Sequence, residues 1–152
     1  MRPGQHLREF VSATDTSHQN YLLDIPETAA GKMGLVIIVP YAVTKQRPFL
    51  ESAFISYSTV LEQVRQASNQ TNLAVAIIGA REPAGGSPAD EADALDVLKD
   101  ISSHYSIDPK RIYLYGVCEG GRNALLLAEH HPGIFAAVGA WGPTLAASAL
   151  TA

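Results

Sequence analysis

Tyr113-Leu114-Tyr115-Gly116-Val117-Cys118-Glu119-Gly120-Gly121 decides how this chain reads. An aromatic, apolar run of strand-forming residues meets Gly116, and beyond Cys118 a glycine pair opens a segment of helical pattern. Gly116 stands two residues before Cys118 and Gly120 two residues after it. A strand that turns sharply into a helix holds the residue at the turn in a strained backbone geometry, so positions two away must lack side chains. The spacing is that of a nucleophile elbow, G-x-S-x-G, with Cys118 in the place of serine. Such a turn aims its central side chain out at the carboxyl end of a sheet, where open α/β folds place their sites. Amides at the helix N-terminus, Glu119 first among them, then lie where they stabilise an oxyanion or a thiolate. A dinucleotide fingerprint would need G-x-G-x-x-G, whereas Gly116, Gly120 and Gly121 give G-x-x-x-G-G with no acidic residue about 20 positions later.

Outward from the elbow, buried strands alternate with helices. Leu35-Val36-Ile37-Ile38-Val39 is an unbroken apolar, β-branched run, as in a strand covered on both faces of a parallel sheet, and Pro40 stops it. Leu73 to Ile78 reads as a second such strand, closed by Gly79. Arg111 to Tyr115 reads as a third, with Asp108-Pro109 breaking the chain ahead of it. Residues 50–67 fit a helix with Phe54, Val60, Leu61 and Val64 near one face. Residues 82–88 form a loop, and Ser87-Pro88 opens a helix to about His104 with Ala94, Leu95, Leu98 and Ile101 facing in. Asn123 to His131 continues the elbow helix as far as Pro132-Gly133, and Phe135 to Trp141 makes a last strand. At the start, residues 8–13 and 20–25 flank a polar Asp15-Thr16-Ser17-His18 turn, the pattern of a β-hairpin. The expected fold is one three-layer α/β domain over residues 1–152, with a mostly parallel sheet, right-handed crossovers and an N-terminal β-hairpin.

The phrase from Ile107-Asp108-Pro109-Lys110-Arg111-Ile112 through the elbow, then Ala124-Leu125-Leu126-Leu127-Ala128, His131-Pro132 and Phe135-Ala136-Ala137-Val138, resembles a known family. It is similar to the surroundings of the catalytic serine in prolyl-oligopeptidase-like (peptidase S9) hydrolases and their esterase relatives. The likeness is sharp over residues 107–143 and looser over 20–80. It implies an α/β-hydrolase fold, here incomplete at the C-terminus, and attack on an ester or peptide carbonyl through a covalent acyl-enzyme. It implies Cys118 as nucleophile and the Glu119 backbone amide in the oxyanion hole. Tyr41, in Pro40-Tyr41-Ala42 after the first long strand, takes the place of a second oxyanion donor, where esterase relatives carry His-Gly. The family usually has serine at Cys118; dienelactone hydrolases use a cysteine there, in G-x-C-x-G-G. A thiolate is the nucleophilic form of cysteine, and a helix N-terminus favours it.

In the family the acid and the histidine follow the nucleophile in chain order. Only 34 residues follow Cys118, and none is an aspartate. His130 lies 12 residues on, about 18 Å along a helix and beyond the hydrogen-bond reach a general base needs. The expectation is a chain that stops short of its triad and is inactive by itself. Two rivals stand beside it: a non-catalytic hydrolase-like remnant or binding module, and a dienelactone-hydrolase-like cysteine hydrolase.

Composition narrows the class. A chain that is 47% hydrophobic and 17% charged suits a soluble globular domain. A net charge of -4 without any Lys/Arg cluster argues against nucleic acid as partner. One cysteine gives no disulfide framework and no Cys-based zinc site, and His6, His18 and His104 are isolated, so no metal or cofactor is expected. No run approaches the roughly 20 apolar residues that span a bilayer. Met1 to Phe10 lacks the apolar core of a secretory signal, so a cytoplasmic setting without a membrane partner is expected. Asp90, Glu91, Asp93 and Asp96 read as a solvated acidic helix start, and Trp141 as core packing rather than pocket lining. The expected partners are a small ester or peptide substrate and, through the apolar edge of the last strand, a second copy.

Overall fold

The computed structural model describes residues 4–27, 29, 31–39, 63, 66, 72–79 and 88–143. Within them the chain forms β1 (Gly4–Val11), β2 (His18–Ile25), β3 (Met33–Val39), β4 (Leu73–Ile78), α1 (Pro88–His104), β5 (Ile107–Val117), α2 (Glu119–His130) and β6 (Ala137–Trp141). The helix expected at 50–67 and the loop at 82–87 lie outside the described residues, except that Gln63 and Gln66 are helical.

The six strands form one sheet in the order β1-β2-β4-β3-β5-β6. β1 and β2 pair antiparallel, as do β2 and β4, while β3 pairs parallel with β4 and β5, and β5 with β6. This is a mixed, mostly parallel sheet, as expected, with the hairpin at one edge. β3 sits near the middle with six of its seven residues buried, which is why its sequence shows no alternation: both faces need cover. β1 shows the opposite signature. His6, Arg8 and Phe10 turn inward while Gln5, Leu7, Glu9 and Val11 face water, as on an edge strand with one solvated face.

The hairpin turn closes earlier than its polar residues predict. The Ser12 amide donates to the Ser17 carbonyl at 2.9 Å, and Asp15 Oδ1 accepts from the Ser17 amide at 3.0 Å. Thr16 takes a positive φ of 59°. His18 is therefore the first residue of β2, not part of the turn.

β5 also differs from expectation. It begins at Ile107 and carries Asp108-Pro109 within it. Proline cannot donate to a ladder, and the register with β3 absorbs it: Met33 pairs with Ile107, but Leu35 already pairs with Ile112. The extra residues bulge out, with Asp108 Oδ1 accepting from the Lys110 amide at 3.0 Å.

Both described helices cover one face. Ala94, Val97 and Ile101 of α1 and Ala124 and Leu127 of α2 join Tyr21, Leu23, Ile25, Leu35, Ile37 and Leu114 of the sheet in one cluster. The physical cause is handedness. β4 to β5 and β5 to β6 both step in the same direction across the sheet, and right-handed crossovers then put both helices on the same side. Leu22, Val36, Ile38, Val75 and Ile77 make a second cluster on the other face. On α1, Val97 is buried where Leu95 and Leu98 are half-buried, so the inward stripe is rotated from the one the sequence suggests.

Candidate functional site

At the carboxyl end of β5 the chain reverses through Cys118 into α2. Cys118 adopts φ 55° and ψ −122°, a combination outside every well that ordinary side chains prefer. Holding a non-glycine residue there costs on the order of 1–3 kcal/mol and requires that its surroundings leave no choice. Those surroundings are visible. The Cys118 amide donates to the Trp141 carbonyl at 2.8 Å, and the Cys118 carbonyl accepts from Gly121 at 3.1 Å and Arg122 at 3.2 Å. The residue is thus tied to β6 on one side and to the first turn of α2 on the other.

The glycines explain how the turn closes. A Cβ on Gly116 would lie 2.2 Å from the Gly120 carbonyl oxygen and 2.6 Å from the Gly121 nitrogen. On Gly121 it would meet the Gly116 carbonyl oxygen at 3.1 Å. The helix start rests directly on the strand backbone, and only glycine permits that approach. The thiol is exposed. The amides of Glu119 and Gly120, in the first turn, have no intrahelical acceptor, and the positive end of the helix dipole is at the same place. The Glu119 side chain leans to Arg122, 3.9 Å away, a surface pair of small energetic weight.

An electrostatic clamp holds α1 against α2. His130 Nδ1 lies 2.9 Å from Glu91 Oε1, and His131 Nε2 lies 3.8 Å from Glu91 Oε2. The hydrogen bond to Glu91 raises the pKa of His130 above its ordinary value, the charge of Glu91 adds to this, and the charge of Glu129 contributes less. Beside the clamp a cavity of about 20 Å³, large enough for one water, is lined by Val39, Asp90, Glu91, Ala94, Asn123, Leu126 and Leu127. Asn123 is buried there with its Oδ1 meeting no donor.

The acidic start of α1 is not uniformly solvated as the sequence suggests. Asp93 is fully buried, Glu91 is engaged by the two histidines, and Asp96 Oδ2 accepts from the Ala13 amide at 2.7 Å. The partners come from outside the helix: the hairpin turn reaches Asp96, and the histidines at the end of α2 reach Glu91. Trp141 also departs from expectation: in this 152-residue chain it is 68% exposed. His18 and His104 are solvent-facing, His18 against Glu9 at 2.7 Å and His104 beside Asp100 at 3.4 Å. Tyr41 lies outside the described residues. Among the described residues no group of three or more His, Cys, Asp or Glu could hold a metal ion, and no helix is long and apolar enough to cross a membrane.

A second polar network ties the hairpin to α1. The Tyr21 hydroxyl donates to Asp100 Oδ2, and Arg8 Nε stands 3.4 Å from the same oxygen and over the Tyr105 ring. Burial, followed by the hydrogen bond and charge of Asp100, raises the Tyr21 pKa far above the ordinary phenol value. The hydroxyl therefore stays a donor, and the network is structural.

Residues 62–152, more than half of the chain, match the esterase PHB depolymerase family. No curated protein matches the sequence. Among solved structures, a substrate-bound fluorophosphonate-binding serine hydrolase of Staphylococcus aureus aligns over 98% of this chain and 61% of its own, with a TM-score of 0.75 and 15% identity. The S-formylglutathione hydrolase of Agrobacterium tumefaciens aligns over 93% of this chain and 58% of its own, with a TM-score of 0.69 and 17% identity. A candidate dipeptidyl aminopeptidase IV of Bacteroides ovatus aligns over 93% and 21%, with a TM-score of 0.67 and 20% identity. The chain thus spans about three-fifths of the length of the first two and shares their fold.

Proposed function

The chain belongs to the esterase PHB depolymerase family, and on that premise we propose that it attacks carboxylic esters through a covalent acyl-enzyme on Cys118. One observation carries the reading. The strained Cys118, with φ 55° and ψ −122°, presents an exposed thiol at the start of α2 between glycines that touch backbone to backbone. Strain of this kind persists where aiming a side chain matters.

The steps follow from that placement. Cys118 Sγ, as thiolate, attacks the ester carbonyl carbon and forms a C–S bond. The carbonyl oxygen becomes an oxyanion facing the Glu119 amide, and Tyr41 supplies a second donor. Donors of this sort are worth about 2.7–4 kcal/mol each in related chemistry. The C–O bond then breaks, the alkoxide leaves and takes its proton from solvent water, and a thioester remains on Cys118. Releasing the acyl group needs a base that activates water. The 34 residues after Cys118 hold no aspartate, and their histidines stand at the far end of α2 or just beyond it, engaged with Glu91. We therefore expect this 152-residue polypeptide to be acylated without appreciable turnover.

Mass spectrometry after exposure to p-nitrophenyl acetate tests this. The expected result is one acetyl group on Cys118, released p-nitrophenol in equal amount, and neither in Cys118→Ala. Sustained turnover abolished by Cys118→Ala would reveal a base elsewhere in the chain, and absence of acetylation would remove the nucleophile. A second reading, cleavage of peptide bonds, draws on the Asp108-Pro109 phrase and the likeness to the aminopeptidase candidate. Acyl transfer to Cys118 from an aminoacyl p-nitroanilide would support it.

A further inference from the structure

Three large apolar side chains are exposed among the described residues: Leu7, Val11 and Trp141. The first two lie on β1, the far edge of the sheet from the elbow. Trp141 ends β6 at the carboxyl end of the sheet. Scattered apolar residues on a surface need no explanation, but the position of Trp141 is not arbitrary. Its carbonyl accepts the Cys118 amide at 2.8 Å, and it pairs in register with Val117. The backbone that holds Cys118 in its turn therefore also fixes the main chain of Trp141.

Its face is also determined. Register partners on neighbouring strands point to the same side of a sheet, so Trp141 continues the side carrying Tyr113, Tyr115 and Val117. These three pack on the cluster of Val36, Ile38 and Ile77, opposite α2. On β6 the same side carries Ala137 and Gly139, and the Tyr115 ring lies 3.0 Å from where a Gly139 Cβ would stand. Trp141 is the first large side chain of β6 beyond that ring. It is a wide, rigid, amphipathic surface that reaches water, carried by the residue whose backbone is bonded to that of Cys118. Such a surface loses little conformational entropy on binding and stacks best on planar, aromatic groups.

We infer that Trp141 is a specificity-determining residue, a platform that takes the aromatic group of an ester whose carbonyl is presented to Cys118. The inference rests on Cys118 as nucleophile for its role in catalysis, but the binding surface itself can be read separately. The chain holds a single tryptophan, so emission excited beyond the tyrosine absorption band reports this residue alone.

Two measurements test the platform on the 152-residue protein. The first titrates the emission with phenylacetamide and with cyclohexylacetamide, neither of which acylates a thiol. A saturable change with the aryl amide and none with the cyclohexyl amide is expected. The second compares Cys118 alkylation by N-phenylmaleimide and N-cyclohexylmaleimide, with glutathione as reference. Stacking should raise the aryl preference roughly three- to tenfold above that of glutathione. Trp141→Ala should return it to the glutathione value, and Trp141→Phe should keep most of it. A parent preference equal to that of glutathione, or one unchanged in Trp141→Ala, overturns the inference. If neither maleimide reaches Cys118, the nucleophile reading fails instead. The emission titration then decides alone: saturation by the aryl amide upholds the platform, and a flat response rejects it.

Discussion

Replacing Gly116 by alanine probes the contact on which the elbow depends. The added Cβ would sit 2.2 Å from the Gly120 carbonyl oxygen, 2.3 Å from its carbonyl carbon and 2.6 Å from the Gly121 nitrogen. All three are backbone atoms of the first turn of α2, so no side chain can swing aside. Relief to ordinary contact requires the helix start to retreat from the strand by about 1 Å. Overpacking usually costs about 1–3 kcal/mol, and a clash with backbone belongs at the upper end or beyond. For a domain of this size about 3 kcal/mol lowers Tm by roughly 6–12 °C. The retreat also disturbs Cys118, because its carbonyl is held by the Gly121 and Arg122 amides. The assay pairs a thermal melt followed by circular dichroism with the rate of iodoacetamide alkylation. Gly139→Ala is the control: its nearest neighbour is a Tyr115 ring carbon at 3.0 Å, a side chain able to yield, so a loss near 1 kcal/mol is expected. If Gly116→Ala melts within about 2 °C of the parent and is alkylated at the same rate, the packed-glycine account of the elbow is wrong.

The remaining predictions draw on other parts of the molecule. Cys118, being exposed, should react with iodoacetamide in the native protein at a rate that denaturant raises only modestly; a thiol silent until unfolding would contradict the elbow geometry. Because Glu91 raises the folded-state pKa of His130, the clamp stabilises most fully below the ordinary imidazole range near 6.5, and its contribution disappears as pH rises through the raised value. Glu91→Gln should therefore flatten the dependence of Tm between mildly acidic and mildly alkaline pH, and an unchanged profile would show that the clamp does not act in solution. Ile37 is fully buried in the central strand, so Ile37→Ala should lose about 2–5 kcal/mol in urea denaturation; a loss under about 1 kcal/mol would mean that β3 is not the centre of the core.

The elbow was legible in the sequence because its requirement is local. A strand-to-helix reversal at one residue needs small neighbours at fixed offsets, and Gly116 and Gly120-Gly121 declare it without reference to the rest of the chain. The central strands were legible for a similar reason: burial on both faces demands continuous apolar runs, and Met33–Val39 and Leu73–Ile78 have them. Asp108-Pro109 misled in placing the start of β5, since a proline that breaks a regular strand is tolerated in a bulge whose existence depends on the partner strand.

Side-chain partnership across the fold was not legible. Glu91 and His130 are 39 residues apart, and Tyr21 and Asp100 are 79 apart. Nothing in the spacing of either pair marks them as neighbours. Acids at a helix start look solvated until α2 and the hairpin turn are packed against them. Trp141 shows the same division. Its residue type and strand were plain from the sequence, but β6 is the last described strand on its side of the sheet, and whether its final side chain is buried depends on what lies over it. Local sequence determines conformation where short-range sterics leave one solution, as at Cys118. Exposure, ion pairing and the neighbours of a site are sums over distant segments, so only the tertiary structure decided that Trp141 is exposed and that its backbone is bonded to Cys118.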